Sequence, residues 1–296
     1  MVCADHRAFC FCFVCGVITA PNLQASATVK CRQDRTVSNT LTIGEDYHKK
    51  SADLEVLAET VGWKPGQRFN FREIFNPKIH NPNASGPHRW RRTSICLREH
   101  EGRLTPLDMM GILRDRGEAA LANPDWRPDG DMNGTICAHA SFGPIRQFGQ
   151  TVGLQVSLLG SCGDKHFVTA TAAPDMGIFK PITLNPDHYP TQLAVKPGGV
   201  WDPHSLWWQH EKLHRPVLKD YAARLKSYHL GRNRLEGEFV EATSVASYQD
   251  IWNRAGKALV DWIELVESIP PGHPGSSAYQ EHWRKLAQRA EFPTHT

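Results

Sequence analysis

The two periodicities of this chain are kept apart. Residues 135 to 172 alternate in the manner of strands, whereas residues 205 to 291 repeat at helical spacing. Extended runs gathered in one stretch and helical runs in another do not build a parallel sheet of alternating strands and helices. They build an α+β fold, in which antiparallel strands lie against a separate helical layer. The extended runs are Thr135–Ala140, Gln150–Leu159 and His166–Ala172, divided by Gly143-Pro144 and by Gly160-Ser161-Cys162-Gly163-Asp164. Both dividers carry turn chemistry, so the links are short and an antiparallel meander is predicted.

The helical runs are Ser205–Ala242, Tyr248–Ile269 and Ser276–Glu291, with Pro270-Pro271-Gly272 between the last two. Upstream, Val37–Ile43 reads as a strand, and Ser51–Val61 places Leu54, Leu57, Ala58 and Val61 on one helical face. Arg72–Phe75 reads as one helical turn, Asn76–His88 as a Pro/Asn/Gly-rich loop, and Arg89–His100 as a helix with a basic start. Thr105-Pro106-Leu107-Asp108 combines an N-cap, a proline at the first helical position and an acid three residues after the cap. That helix is predicted to run to Arg116 and stop at Gly117; Ala122–Gly134 follows as a loop. The expected division is a leader over 1–36, a core over 37–190 and a helical region over 191–296.

Apolar residues make up 40% of the 296 and charged residues 22%, enough to build a core and too apolar for wholesale disorder. The formal net charge of +3 is too balanced for a nucleic-acid protein held by phosphate neutralisation. The longest apolar run, Ala8 to Ala20, falls short of the roughly 20 residues that span a bilayer, so no integral membrane segment is expected. Cys3, Cys10, Cys12, Cys15 and Cys31 crowd the first 31 residues. Three readings stand for this leader: a secretory signal ending at Ala25-Ser26-Ala27, a metal site on Cys10, Cys12 and Cys15, or a divergent start.

Three groups could carry chemistry. His210-Glu211-Lys212-Leu213-His214 would set two imidazoles one helical turn apart with a carboxylate beside them, the pattern of a zinc peptidase, with Glu236, Glu238 or Glu241 as third ligand. Against it, Pro216 should kink the helix two residues on. Packing of Trp207, Leu213 and Val217 would explain the same stretch. Cys137 and His139, two apart on an expected strand, would share a face as a thiol–imidazole pair, unless Cys137 is a buried small apolar residue. Arg89, Arg91 and Arg92 could hold a carboxylate or form a solvated helix face. Neither a phosphate-binding glycine loop nor a G-x-S-x-G elbow occurs, so nucleotide binding and the α/β-hydrolase reading have no support.

Read in order, several stretches resemble the secernin and cysteine-dipeptidase family of the N-terminal-nucleophile (Ntn) hydrolases. They are Val37–Gly44 (VSNTLTIG), Leu107–Arg116 (LDMMGILRDR), Ile136–Ala140 (ICAHA), Gln150–Gly153 (QTVG), Thr169–Pro181 (TATAAPDMGIFKP) and Ser205–Arg215 (SLWWQHEKLHR). The resemblance runs from about residue 37 to about 260. It implies part of an α/β/β/α sandwich of two antiparallel sheets, hydrolysis of a dipeptide or small amide, and no cofactor. Cytoplasmic residence is implied too, in contrast to secretion if residues 1–27 are a signal. A homo-oligomer is an allowed assembly. The HEKLH stretch looks like an ordinary part of this family's sequence.

In that family a cysteine at the head of the mature chain attacks the amide carbonyl, with its own α-amino group as base. Cys3 is followed by Ala4-Asp5-His6-Arg7, unlike the family's C-D-T-F start, and the SNTLTIG segment begins already at Ser38. The resemblance therefore implies an N-terminally truncated member without its nucleophile, inactive alone. A non-enzymatic interaction protein is the alternative, since secernins are linked to regulated exocytosis. Asn39 matches an oxyanion-hole asparagine of related amidases, a donor worth about 3–4 kcal/mol in the transition state. Arg89, with Arg92 as the second choice, matches a distal active-site arginine. At Asp175 the family commonly has Cys, so the chain departs there.

Overall fold

Thr105 and Asp108 make the reciprocal cap that their spacing predicts. Asp108 N donates to Thr105 Oγ1 at 3.2 Å and Thr105 N donates to Asp108 Oδ2 at 2.9 Å, closing both ends of the box. The computed structural model describes residues 8–10, 27–28, 44–45, 47, 49–51, 53–75, 85–130, 135–139, 142, 150–159, 163–242 and 244–293. Along these the elements are β1 (Ala8–Cys10), β2 (Ala27–Thr28), β3 (Lys49–Lys50), α1 (Asp53–Thr60), α2 (Phe71–Phe75), α3 (Ser85–Glu99), α4 (Pro106–Leu113) and α5 (Glu118–Ala122). Then come β4 (Gln155–Leu159), β5 (Lys165–Val168), β6 (Lys180–Ile182), α6 (Leu206–Val217), α7 (Tyr221–Glu241), α8 (Tyr248–Ser268) and α9 (Ser277–Arg289). The class is α+β.

Two compact units result: Met1–Cys12 with Leu104–Thr296, and Phe13–Arg103. The smaller unit pairs β2 with β3 and buries Leu54 and Ala58 of α1 against Phe69. Trp63 and Tyr47 meet the Phe69 ring edge-on at 5.2 and 6.1 Å, and Lys50 Nζ lies 4.0 Å from its centroid.

In the larger unit an antiparallel sheet runs in the order β1-β4-β5-β6, with Cys10 opposite Ser157, Val156 opposite Phe167 and Phe167 opposite Pro181. Helices α7 and α8 touch β6, and α4 touches β4. Helix α8 earns its place by its pattern: Tyr248, Ile251, Trp252, Ala255, Leu259, Trp262 and Val266 are all buried, one stripe at helical spacing. Trp252 Nε1 donates to Pro181 O at 2.8 Å and ties the helix to β6.

Four expectations are corrected. Residues 135–139 form no strand, because their donors go elsewhere: Ile136 N and Cys137 N both reach Asp115 O (2.9 and 3.1 Å), and Ala138 N reaches Thr151 Oγ1 (3.0 Å). The third strand of the meander is instead Lys180–Ile182. The run Ser205–Ala242 is two helices, broken at Leu218–Asp220, where Asp220 Oδ2 accepts from Gly272 N at 2.9 Å. Pro216 sits in the last turn of α6, so it ends the helix and does not kink it. Finally, Ser85–His88, expected in a loop, open α3. The expected strand Val37–Ile43 lies outside the described residues.

Candidate functional site

The irregular stretch Thr169–Phe179 lies between β5 and β6, and buried side chains hold its carbonyls. Lys180 Nζ donates to Thr169 O (2.8 Å) and Ile178 O (2.7 Å). Arg114 gives Nε to Pro174 O (3.1 Å) and Nη2 to Gly177 O (2.9 Å). Tyr228 OH donates to Met176 O at 3.1 Å, and Arg232 Nη1 donates to Asp175 O. Glu236 completes the frame: it takes Arg114 Nη1 at 2.7 Å and Phe179 N at 2.7 Å. Two alanines in the stretch sit in the left-handed region, Ala170 at φ 56° and Ala173 at φ 42°. Such conformations cost on the order of 1–3 kcal/mol each and persist where the surroundings over-determine them. Charge-assisted bonds to the carbonyls supply that constraint.

This frame aims the Asp175 carboxylate at three donors. His139 Nε2 stands 2.9 Å from Oδ2, the Tyr221 hydroxyl donates to the same oxygen, and the Cys137 thiol lies 3.5 Å from Oδ1. Arg116 lies over the rings of Trp126 (5.6 Å) and Tyr221 (5.3 Å). Burial alone would raise the Asp175 carboxyl. The His139 charge and hydrogen bond, the Tyr221 hydroxyl and the Arg116 charge outweigh it and hold the group ionised, far below the usual carboxylate range. A carboxylate only accepts, so His139 Nε2 carries a proton. Burial and then the Asp175 charge push the Cys137 thiol well up. Burial, ahead of Asp175, does the same to the Tyr221 hydroxyl. Cys137 is thus a protonated donor with 0% exposure and not a poised nucleophile.

Helix α6 stacks a second layer on the first. Glu211 Oε1 bonds His214 Nδ1 at 2.9 Å, and Oε2 takes Arg215 Nε at 2.8 Å. Burial would raise Glu211, but His214 and then Arg215 bring it down to about 2. His210 is pushed down to about 3, by burial first and by His214 second. Neither of its ring nitrogens has a hydrogen-bond partner among the described residues, and neither has Thr171 Oγ1. Both side chains border Gly177: a Cβ there would stand 2.8 Å from Thr171 Oγ1 and 3.5 Å from His210 Nε2. The His214 ring is 6.4 Å from that of His139, so the two layers touch.

The expected site residues are distributed as follows. His210, Glu211 and His214 are all buried on α6, with the Glu211 carboxylate spent on His214 and Arg215. Of the expected third ligands, Glu236 serves Arg114, Glu238 pairs with Arg254, and Glu241 is exposed at the end of α7. Among the described residues no group of three or more His, Cys, Asp or Glu side chains is gathered to hold a metal ion. Cys137 and His139 do face one partner, though that partner is Asp175 and the segment is not a strand. Arg89 is half-buried on α3, in the smaller unit. Asn39 lies outside the described residues, as does the leader's cysteine cluster apart from the backbone of β1. The sequence reading missed Arg114, Arg116, Lys180 and Tyr221 and offered Glu236 only as a metal ligand; Asp175, in the turn-forming Pro174-Asp175-Met176-Gly177, carried a local signal.

No protein-family model matches the chain.

Proposed function

We propose that the chain is a secernin-like relative of the cysteine dipeptidases, with residues 104–296 built as the later part of an Ntn-hydrolase sandwich, and that it does not itself turn over dipeptides. One observation carries the reading. The five described segments of the resemblance meet in one buried centre: Arg114 and Arg116 from LDMMGILRDR, Cys137 and His139 from ICAHA, Thr151 from QTVG, Asp175 and Lys180 from TATAAPDMGIFKP, and His210, Glu211 and His214 from SLWWQHEKLHR. Thr151 closes the set, accepting from Ala138 N through its hydroxyl and from Ala173 N through its carbonyl, each at 3.0 Å. Motifs far apart along a chain that gather around one stretch, here Thr169–Phe179, behave as parts of a single domain.

Within this reading the Asp175 centre positions and does not react. It holds the loop, keeps the Cys137 thiol protonated and offers no water-accessible base. Asn39 and Arg89 keep the oxyanion and substrate roles implied by the resemblance, and Cys137, among the described residues, is no thiolate for them to serve. Cys96 is buried as well. The chain then acts as a non-enzymatic member of the family, through interaction. The purified chain, assayed on a panel of dipeptides with and without a thiol reagent, is expected to show no thiol-sensitive release of amino acids. Robust turnover abolished by the reagent would overturn the proposal.

A further inference from the structure

Helices α6 and α9 and the proline-rich turn after α8 enclose a cleft of about 910 Å³, separate from the Asp175 centre. That volume suits a small organic ligand. Its walls are apolar, formed by Leu218, Trp283, Ala287 and Phe292. Its charge is one-sided: Lys212, Arg215, Lys219, Arg224 and Arg284 line it, against Glu267 and Glu281. Glu281 is already taken up by Arg284, with both contacts at 2.6 Å. Lys212 and Lys219 carry no ion pair among the described residues.

The cleft is also preformed. Arg224 Nη1 donates to Pro216 O at 2.7 Å and its Nη2 donates to Ile269 O, while Asp220 fixes the turn through Gly272 N at 2.9 Å. Arg215 lies over the Phe292 ring at 4.2 Å and the Trp283 ring at 5.4 Å, anchored through Nε to Glu211. Arg215 Nη1 and Trp283 Nε1 lie behind this wall, buried out of reach of the cleft, so the charge open to a ligand is that of Lys212 and Lys219.

We propose that this cleft binds a small anionic amphiphile, a carboxylate on an apolar body. The carboxylate is held by the cations without an ion pair, Lys212 and Lys219, and the body lies against Leu218, Ala287 and Phe292. Each feature of the cleft selects one part of that ligand. The excess of cations excludes a cationic head, the apolar walls add nothing for a bare inorganic anion, and Lys212 and Lys219 favour an anionic one. The inference stands independently of the family reading.

Isothermal titration calorimetry on the full chain tests it, with decanoate as probe and acetate and decyltrimethylammonium as controls. Decanoate is expected to bind saturably at one site, at least tenfold tighter than either control. The double variant Lys219→Glu/Arg284→Glu changes two exposed side chains and is expected to keep the native circular dichroism and melting profile while weakening decanoate by tenfold or more. Equal binding of decyltrimethylammonium, or decanoate affinity unchanged in the double variant, would overturn the proposal. So would tighter binding of an acidic peptide than of decanoate, which would reassign the cleft to a protein partner.

Discussion

A side chain at position 177 has no room. A methyl group there would stand 2.8 Å from the buried hydroxyl of Thr171, closer than nonbonded carbon and oxygen approach, and threonine is stiff about its first side-chain torsion. Gly177→Ala is therefore expected to destabilise the chain by about 1–3 kcal/mol, measured by urea unfolding. Thr171→Ala in the same chain removes the obstructing oxygen and is expected to restore most of the loss. Simple additivity of the two changes would show that the contact is not the cause. Cys137 at this scale is a donor to a carboxylate and no more. The sequence pairs it with His139 correctly, but the acceptor that unites them is 38 residues from Cys137 and 36 from His139 along the chain, beyond any spacing rule.

Among the elements, the stretch between β5 and β6 holds two residues in a backbone region that glycine enters without a Cβ penalty. Ala170 is partly exposed, so its methyl contributes little packing. Its left-handed conformation costs about 1–2 kcal/mol, and glycine's extra unfolded-state freedom returns about 0.5–1 kcal/mol of that. Ala170→Gly is expected to raise stability by about 0.5 kcal/mol, seen as a higher thermal midpoint. Elements with their own signals were legible in the sequence. These include α4 with its capping box, α8 with its apolar stripe, and α9, whose Ser276 hydroxyl accepts from Tyr279 N at 3.3 Å. Others depend on remote partners and were not. The break between α6 and α7 is set by a bond from Gly272 to Asp220, 52 residues apart. Strand β6 contains a lysine and a proline, poor strand formers; its Lys180 is buried because Thr169 O, Ile178 O and the Trp252 ring receive its ammonium group. The path of 135–139 was misread because apolar alternation there feeds a core without pairing in a sheet.

For the molecule as a whole, the shifted groups set the dependence of stability on pH. His210 titrates at about 3 in the native state against an ordinary 6.5, so between those values the unfolded chain binds a proton that the native chain refuses. Native stability is lost as pH falls through that window, by about 1.4 kcal/mol per pH unit for one proton. Glu211, at about 2 against 4.5, acts in the same direction: its contribution is present above 4.5 and is lost as pH falls toward 2. Lys180 extends the trend upward. Burial lowers it to about 7 from 10.5, with Arg114 adding to that and Glu236 opposing, so stability still rises between those values. The buried tyrosines Tyr221 and Tyr228, both shifted up chiefly by burial, reverse the trend only above their ordinary value of 10.0. The stability maximum is expected on the alkaline side of neutrality, between about pH 8 and 10. Urea unfolding across pH 4–10 checks it, and His210→Phe is expected to flatten the profile between pH 5 and 6.5.

The stretch from Thr169 to Phe179 is also fixed in length. Its carbonyls at 169, 174, 175, 176, 177 and 178 each answer to a particular donor: Arg114, which caps α4, Lys180 on β6, or Tyr228 and Arg232 on α7. One inserted residue would set every later carbonyl out of step with its donor, and one deletion would do the same in reverse. A segment without regular secondary structure thereby has as strict a count as a strand in a sheet.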